Sequence, residues 1–288
     1  MSVNQVSTYS ESITVHDCHT NMEGNAYWTE YHKWFADALE GLFMSIVPDL
    51  RERFKANHLK IKLFDTYIKH IASAFFGDTV NVEIEIGQID TKRSLIEFLV
   101  KFTNEENKIA TGWQRVSLVD EKGNKIGVPE DVIRLGSTQS SRKLVGSVRR
   151  GKSKKKFKVP KLVSLHHTNT KGETYPTVYL EWLGEAREEF IMDIDPDFIE
   201  QFQHGMRTLT HDTYLRHYKS IFFPDTVTIE IQVGKIRLSS ARLLFAFVKD
   251  GEVIAEGWQT LVFANDKGKP IRIPLNIIRP GLKYLAGI

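Results

Sequence analysis

Cysteine is nearly absent from this chain of 288 residues. Cys18 stands alone, which excludes an internal disulfide and leaves no cysteine set of the kind a structural zinc site uses; a small buried thiol is the expectation for it. Long apolar runs are absent as well. No stretch approaches the roughly 20 residues needed to cross a bilayer, and Met1–Ser12 is polar, without a basic segment followed by an apolar one. The expectation is a cytoplasmic protein with no membrane partner. Residues 141–161 lack acids altogether while holding ten Lys or Arg, and the formal net charge of +3 rests on that run. It reads first as a solvated linker and second as a landing site for an acidic partner. What is present is ordinary for a globular protein: 41% hydrophobic and 26% charged residues, enough for two domains with full cores.

A repeat organises the chain. HTNMEGNAYWTEYHKWFADALE from His19 returns as HTNTKGETYPTVYLEWLGEARE from His167, an offset of 148 residues. The match continues through Pro48-Asp49 and Pro196-Asp197, Asp65-Thr66-Tyr67 and Asp212-Thr213-Tyr214, then FFGDTVNVEIEIG from Phe75 and FFPDTVTIEIQVG from Phe222. It closes on Gly112-Trp113-Gln114 with Gly257-Trp258-Gln259, and Ile133-Arg134 with Ile278-Arg279. The predicted organisation is therefore unit 1 over 8–135, a basic linker over 136–160 and unit 2 over 161–284.

Each copy opens on a short apolar alternation (Ile13, Val15) and a glycine-containing turn, followed by a helix predicted over about 26–46 in the first copy. Tyr27, Tyr31, Trp34, Phe35, Ala38, Leu42 and Phe43, and their counterparts from Tyr175 to Ile191, fall at i, i+3, i+4 and i+7. A helix with so many aromatics is buried around most of its circumference. Val80, Val82, Ile84 and Ile86 alternate with polar residues, as do Val227, Ile229, Ile231 and Val233, which marks strands with one buried face. Further strands are predicted over about 60–71, 93–103 and 108–119, with a turn at Asp120–Asn124. The class is α+β: in each of two tandem units, a long central helix wrapped by an antiparallel sheet.

That order, together with Thr-Asn-x-x-Gly-x-x-Tyr-x-x-x-Tyr-x-x-Trp along the helix start, resembles the hotdog-fold thioesterase superfamily. Within it the chain is similar to the 4-hydroxybenzoyl-CoA thioesterase-like branch and its enediyne polyketide acyl-carrier-protein thioesterases. The resemblance covers both copies and implies a double hotdog, a pseudo-dimer within one chain, with the acyl thioester lying between the two units; further homo-oligomerisation stays open. It also implies thioester hydrolysis on an acyl carrier protein or coenzyme A, in polyketide or fatty-acyl metabolism, with no cofactor and no metal. Nucleic acid is not an expected partner.

Many hotdog thioesterases carry an Asp where this chain has Asn21 and Asn169. An amide takes no proton at neutral pH, so it orients water or donates to developing negative charge. The enediyne-type enzymes likewise have Asn there, with a Tyr and an Arg further along the helix. Copy 2 matches all three as Asn169, Tyr179 and Arg187, which become the catalytic candidates. Copy 1 matches at Asn21 and Tyr31 but has Leu39 in place of the Arg. Asn21, Tyr31, Gly24 and Gly172 are assigned to substrate binding, Gly172 at a helix start whose free N–H groups favour an oxyanion.

Plainer readings compete at every position. Either Asn caps a helix, either Tyr is core, and Arg187 with Glu185 and Glu188 is a solvated charged face. Glu40 and Glu188 recur at one helix position, as a base or as a structural contact. His16, His19, His166 and His167 make local hydrogen bonds or contribute to a metal or dehydratase site. At the level of function, hydrolysis competes with a double-hotdog dehydratase, acyltransferase or decarboxylase, and with a non-catalytic acyl-binding scaffold.

Overall fold

The computed structural model describes residues 8–46, 60–120, 122–128, 130–135, 155–169 and 171–286, together with Glu52 and Val148. Most of the basic run and the Pro48-Asp49 pair lie outside the described residues. The chain divides into two compact units, Met1–Val145 and Gly146–Ile288.

Unit 1 runs β1 (Thr8–Thr14), a 3-10 turn (Asp17–His19), the long helix α1 (Trp28–Ile46), β2 (Lys60–His70), β3 (Thr79–Asp90), β4 (Leu95–Asn104), β5 (Asn107–Val119) and α2 (Glu130–Leu135). Unit 2 repeats it as β6 (Phe157–Leu162), a 3-10 turn (Leu165–His167), α3 (Pro176–Ile194), α4 (Phe198–Gln203), β7 (Arg207–His217), β8 (Thr226–Ile236), β9 (Ser240–Lys249), β10 (Glu252–Ala264) and α5 (Leu275–Gly281). All pairings are antiparallel: β1 with β3, β3 with β4, β4 with β5 and β5 with β2 in unit 1. In unit 2, β6 pairs with β8, β8 with β9, β9 with β10 and β10 with β7. The strands fall where the alternation placed them.

The long helices begin later than the aromatic pattern alone suggests. Tyr175 is the N-cap of α3 in extended conformation, because Pro176 occupies the first helical position, where its fixed φ suits the helix while the residue before it is held out of the α region. The first motif tyrosine is thus outside the helix, half exposed at Tyr175. Along α1, Tyr31, Trp34, Phe35, Ala38, Leu42 and Phe43 are buried against Val80, Val82 and Ile84 of β3 and Phe98, Val100 and Phe102 of β4. Burying each such large side chain contributes about 1.5–3 kcal/mol, which is what holds the sheet around the helix.

The Gly-Trp-Gln motif is explained by close approach. A Cβ at Gly112 would lie 2.2 Å from the Tyr67 carbonyl oxygen, and one at Gly257 would lie 1.9 Å from that of Tyr214. The strands cannot pair at this spacing around any side chain. The tryptophans that follow stack on the same tyrosines, Tyr67 with Trp113 at 6.0 Å and Tyr214 with Trp258 at 4.3 Å between ring centroids.

The two units carry different charges on equivalent positions of this sheet face. In unit 1, Arg115 of β5 makes a bidentate, buried pair with Asp65 of β2. In unit 2, Thr260 takes the place of Arg115, and the cation comes from the opposite neighbour: Arg242 of β9 donates to Thr260 Oγ1 at 3.1 Å and lies 3.7 Å from Asp212. The carboxylate is kept and its partner is moved one strand along.

Candidate active site

Asn21 and Asn169 sit in matching tight turns that precede the long helices. The backbone closes each turn with Gly24 N–H donating to Asn21 O and Gly172 N–H to Asn169 O, both at 2.9 Å. Both glycines adopt the left-handed region, at φ 72° and 76°, which glycine alone enters without cost. The asparagine side chain completes the turn: Asn169 Oδ1 accepts from Lys171 N–H at 3.0 Å and Glu173 N–H at 3.2 Å, and Asn21 Oδ1 from Glu23 N–H at 2.9 Å. Asn169 therefore shapes a turn rather than capping α3, whose N-cap is Tyr175. With Oδ1 engaged by the backbone, Nδ2 is the group left to donate. The Gly172 N–H, by contrast, is already used within the turn.

The phenylalanine motif packs against the same turn. Asn25 bridges to Phe75 and Glu173 to Phe222, while Phe76 N–H donates to Gly24 O and Phe223 N–H to Gly172 O. Asp78 and Asp225 accept from the Phe75 and Phe222 N–H groups at 2.8 and 2.9 Å. The aspartates of FFGD and FFPD are thus turn residues.

Tyr31 and Tyr179 lie in the core, 2% exposed each. Tyr31 Oη accepts from Ala74 N–H at 3.3 Å. Burial pushes the Tyr31 phenol up to about 12 and raises that of Tyr179 further, with the Glu173 and Asp225 carboxylates adding to the effect. Both remain protonated donors at neutral pH. Each ring meets a histidine edge to face, His70 at 4.8 Å from Tyr31 and His217 at 4.7 Å from Tyr179.

Arg187 is 6% exposed on the inward side of α3, not on a solvated face. Its Nη1 donates to Thr210 Oγ1 of β7 at 3.1 Å and to Gln259 Oε1 of β10 at 3.3 Å; Gln259 in turn donates to Thr213 Oγ1 at 3.2 Å. Glu188, exposed, lies 3.4 Å from Nη2. In unit 1 Leu39 is buried in the apolar core. The structure places Asn169 with Gly172, Tyr179 with His217 and Phe247, and Arg187 with Thr210 and Gln259. Tyr179 and Arg187, eight residues apart, are separated by about 12 Å along the helix axis.

The histidines flanking the turn act locally: His16 N–H donates to His19 Nδ1 and Ser164 N–H to His167 Nδ1, each at 3.1 Å. Cys18 corrects the expectation of a buried thiol. It is exposed, because it lies on the 3-10 turn Asp17–His19, which buries no side chain. Among the described residues no group of three or more His, Cys, Asp or Glu could hold a metal ion. Of the described lysines of the basic run, Lys156 and Lys158 share Glu230, Lys161 pairs with Glu185 and Glu189, and Lys155 lies over the Tyr284 ring, all within unit 2.

Several polar residues here escaped the sequence reading. His70 and His217 recur in register, three residues past the quoted Asp-Thr-Tyr, in DTYIKH and DTYLRH. Gln259 and Thr213 lie inside quoted motifs, yet only the fold shows that they serve Arg187. Thr174, whose buried hydroxyl has no partner among the described residues, aligns in sequence with Ala26 of the first copy and gave no repeat signal.

Residues 163–281 match the model of the thioesterase-like superfamily. A curated protein of Synechocystis, described as a "putative esterase", is 30% identical over 124 residues, covering 42% of this chain and 74% of that protein. The chain belongs to the thioesterase-like superfamily. Solved structures of similar fold include a 12:0-ACP thioesterase from Umbellularia californica, with TM-score 0.72, 11% identity, and 90% of this chain and 95% of that one covered. An acyl-ACP thioesterase from Bacteroides thetaiotaomicron matches with TM-score 0.67 and 11% identity, over 92% of this chain and 100% of its own. At that identity the likeness is one of fold: a hotdog-like thioesterase architecture with a large antiparallel sheet and few helices. No helix among the described residues is long and apolar enough to cross a membrane.

Proposed function

We propose that this protein hydrolyses an acyl thioester carried on an acyl carrier protein or coenzyme A, in fatty-acyl or polyketide metabolism of the cytoplasm. It is built as a tandem double hotdog, with units over 8–135 and 161–284 and a basic linker over 136–160. The observation that carries this reading is a thioesterase-family chain with a preorganised Asn-x-x-Gly turn before each long helix and, on the long helix of the second unit, a buried arginine where the first has Leu39.

In this scheme water attacks the thioester carbonyl carbon, the C–S bond breaks, and the thiol leaves as the acid is released. Asn169 Nδ2 donates to the oxyanion; its carbonyl side is held by Lys171 and Glu173 N–H, so the amide cannot rotate away. Arg187, fixed by Thr210 and Gln259, holds a polar group of the acyl chain. Tyr179 supplies a protonated phenol. Asn21, Gly24 and Gly172 shape the substrate-binding turns, and Tyr31 of α1 is assigned to substrate binding with them. Stabilising the oxyanion through one such donor is worth on the order of 3 kcal/mol.

The test is a panel of carrier-bound and coenzyme A thioesters followed by free thiol and product mass. Free acid supports the proposal, and Asn169→Ala should then lower turnover by roughly two to three orders of magnitude. An enoyl product would establish dehydration instead, and an acyl chain bound but unchanged would establish a scaffold.

A further inference from the structure

Two carboxylates act on the buried Tyr179 phenol, those of Glu173 and Asp225. Asp225 is engaged at both oxygens: Oδ2 accepts from the Phe222 N–H at 2.9 Å and Oδ1 lies 2.7 Å from the Lys249 ammonium. Glu173 is held by a hydroxyl instead of a cation. Ser220 Oγ donates to its Oε1, which leaves Oε2 to take a proton.

The backbone register sets Glu173 on the same side of the turn as Asn169. Thr168 pairs with Thr174 and Glu173 with Phe222, and successive residues of such a ladder point to opposite sides. Thr174 and Ile221 face the core, at 6% and 0% exposure, whereas Phe222 is 46% exposed. Asn169, Glu173 and Phe222 therefore share the side that water reaches, and Asn169 Oδ1 touches Glu173 directly, accepting its N–H at 3.2 Å. Unit 1 keeps this frame without the charge. The 148-residue offset places Asn25 at Glu173; the serine is retained as Ser73, and Asn25 Nδ2 donates to its Oγ at 3.4 Å. An amide takes no proton at neutral pH, so this position separates the second unit from the first as Arg187 and Leu39 do.

We infer, on the reading of Asn169 as the oxyanion donor of a thioesterase, that Glu173 is the general base of the second unit, a catalytic residue that takes a proton from the attacking water. The carboxylate removes that proton as the water oxygen bonds to the thioester carbonyl carbon, and the carbonyl electron pair moves onto the oxygen to which Asn169 Nδ2 donates. When the C=O re-forms, the C–S bond breaks and Glu173 returns the proton to the leaving sulfur. Thiol and acid depart with the carboxylate restored. Ser220 is the positioning residue, fixing Oε1 so that Oε2 meets the water. A base placed in this way contributes roughly two to four orders of magnitude to the rate.

The test sets hydrolysis against attack by hydroxylamine, a neutral nucleophile that bonds to the carbonyl carbon before it gives up a proton. The full chain and its variants are given the panel thioester that the wild type turns over fastest, and acid and hydroxamate are measured by mass, corrected for the uncatalysed reaction. Glu173→Gln, which keeps the size and the acceptor for Ser220, should lower acid release at least a hundredfold and keep hydroxamate formation within a few-fold of the wild type. Asn169→Ala should lose both products, since either attack builds an oxyanion. Circular dichroism checks that each variant is folded; if Glu173→Gln is not, Glu173→Asp, with its carboxylate drawn back by one methylene, should show the same selective loss of acid. Wild-type acid release in the Glu173 variant, or hydroxamate falling in proportion to acid, would overturn the assignment of Glu173 alone. A wild type that releases no acid from any thioester of the panel would overturn the thioesterase reading and the base with it.

Discussion

His32 lies on α1 at 0% exposure, with Nδ1 3.5 Å from Thr66 Oγ1 and its ring edge-on to Trp28. Burial, reinforced by the nearby His70, pushes its pKa down from 6.5 to about 3. The imidazole is therefore neutral in the folded state, while an unfolded chain would take up a proton near pH 6.5. Between about 3 and 6.5 the unfolded state binds the extra proton, so stability rises with pH across that window and is lost as pH falls through it. The slope approaches about 1.4 kcal/mol per pH unit. Leu180 holds the equivalent place in unit 2 and is buried too, so His32→Leu should fold. Urea midpoints measured from pH 7 down to pH 4 should fall less steeply in this variant than in the wild type. Equal slopes would mean that His32 does not govern the acid response.

At the scale of elements, the strands and long helices were legible because period-two and 3.6-residue patterns recur in both copies, and two noisy signals that agree are stronger than one. The helix start was misplaced by two residues because Tyr27 and Tyr175 fit the apolar stripe although they lie outside the helix; Pro176 is the local feature that decides it. The short helices α2, α4 and α5 carry too few turns for a periodicity to show. The Arg242–Asp212 contact was illegible for another reason, since it depends on which strand lies next to β10. The glycines of Gly-Trp-Gln were read as repeat markers, and the fold adds their cause. Gly257→Ala would drive a methyl group into the Tyr214 carbonyl and push β10 from β7, at a cost of several kcal/mol, in the range of severe strain or overpacking. The melting temperature should drop sharply, and an unchanged value would show that the two strands can shift apart at little cost.

On the scale of the whole molecule, the repeat acts as its own control, because each unit shows what the other tolerates. The asymmetry of Leu39 and Arg187 was visible in sequence, but its meaning required the partners. Arg187 donates to Thr210 and Gln259. The matching residues of unit 1 are Leu63 and Gln114, a correspondence fixed by the register, since Val116 faces Leu63 as Leu261 faces Thr210. Unit 1 thus lacks the arginine and one of the two acceptors of its Nη1 together, the pattern expected when a buried charge is given up, because an unsatisfied guanidinium in a core is costly. Two reciprocal variants follow. Leu39→Arg places a guanidinium beside Leu63 with one acceptor missing; it should destabilise the protein by about 3 kcal/mol or more and add no thioesterase activity. Arg187→Leu removes the charge along with its need for partners, and leucine demonstrably packs at this helix position in unit 1. It should fold with a modest loss, mainly from the unpaired Gln259 and Thr210, while thioester turnover collapses. Denaturation curves and thiol release on the same preparations separate the two effects. If Arg187→Leu kept full turnover, the asymmetry would belong to the history of the core, and the second unit would have no claim to the chemistry on account of its arginine.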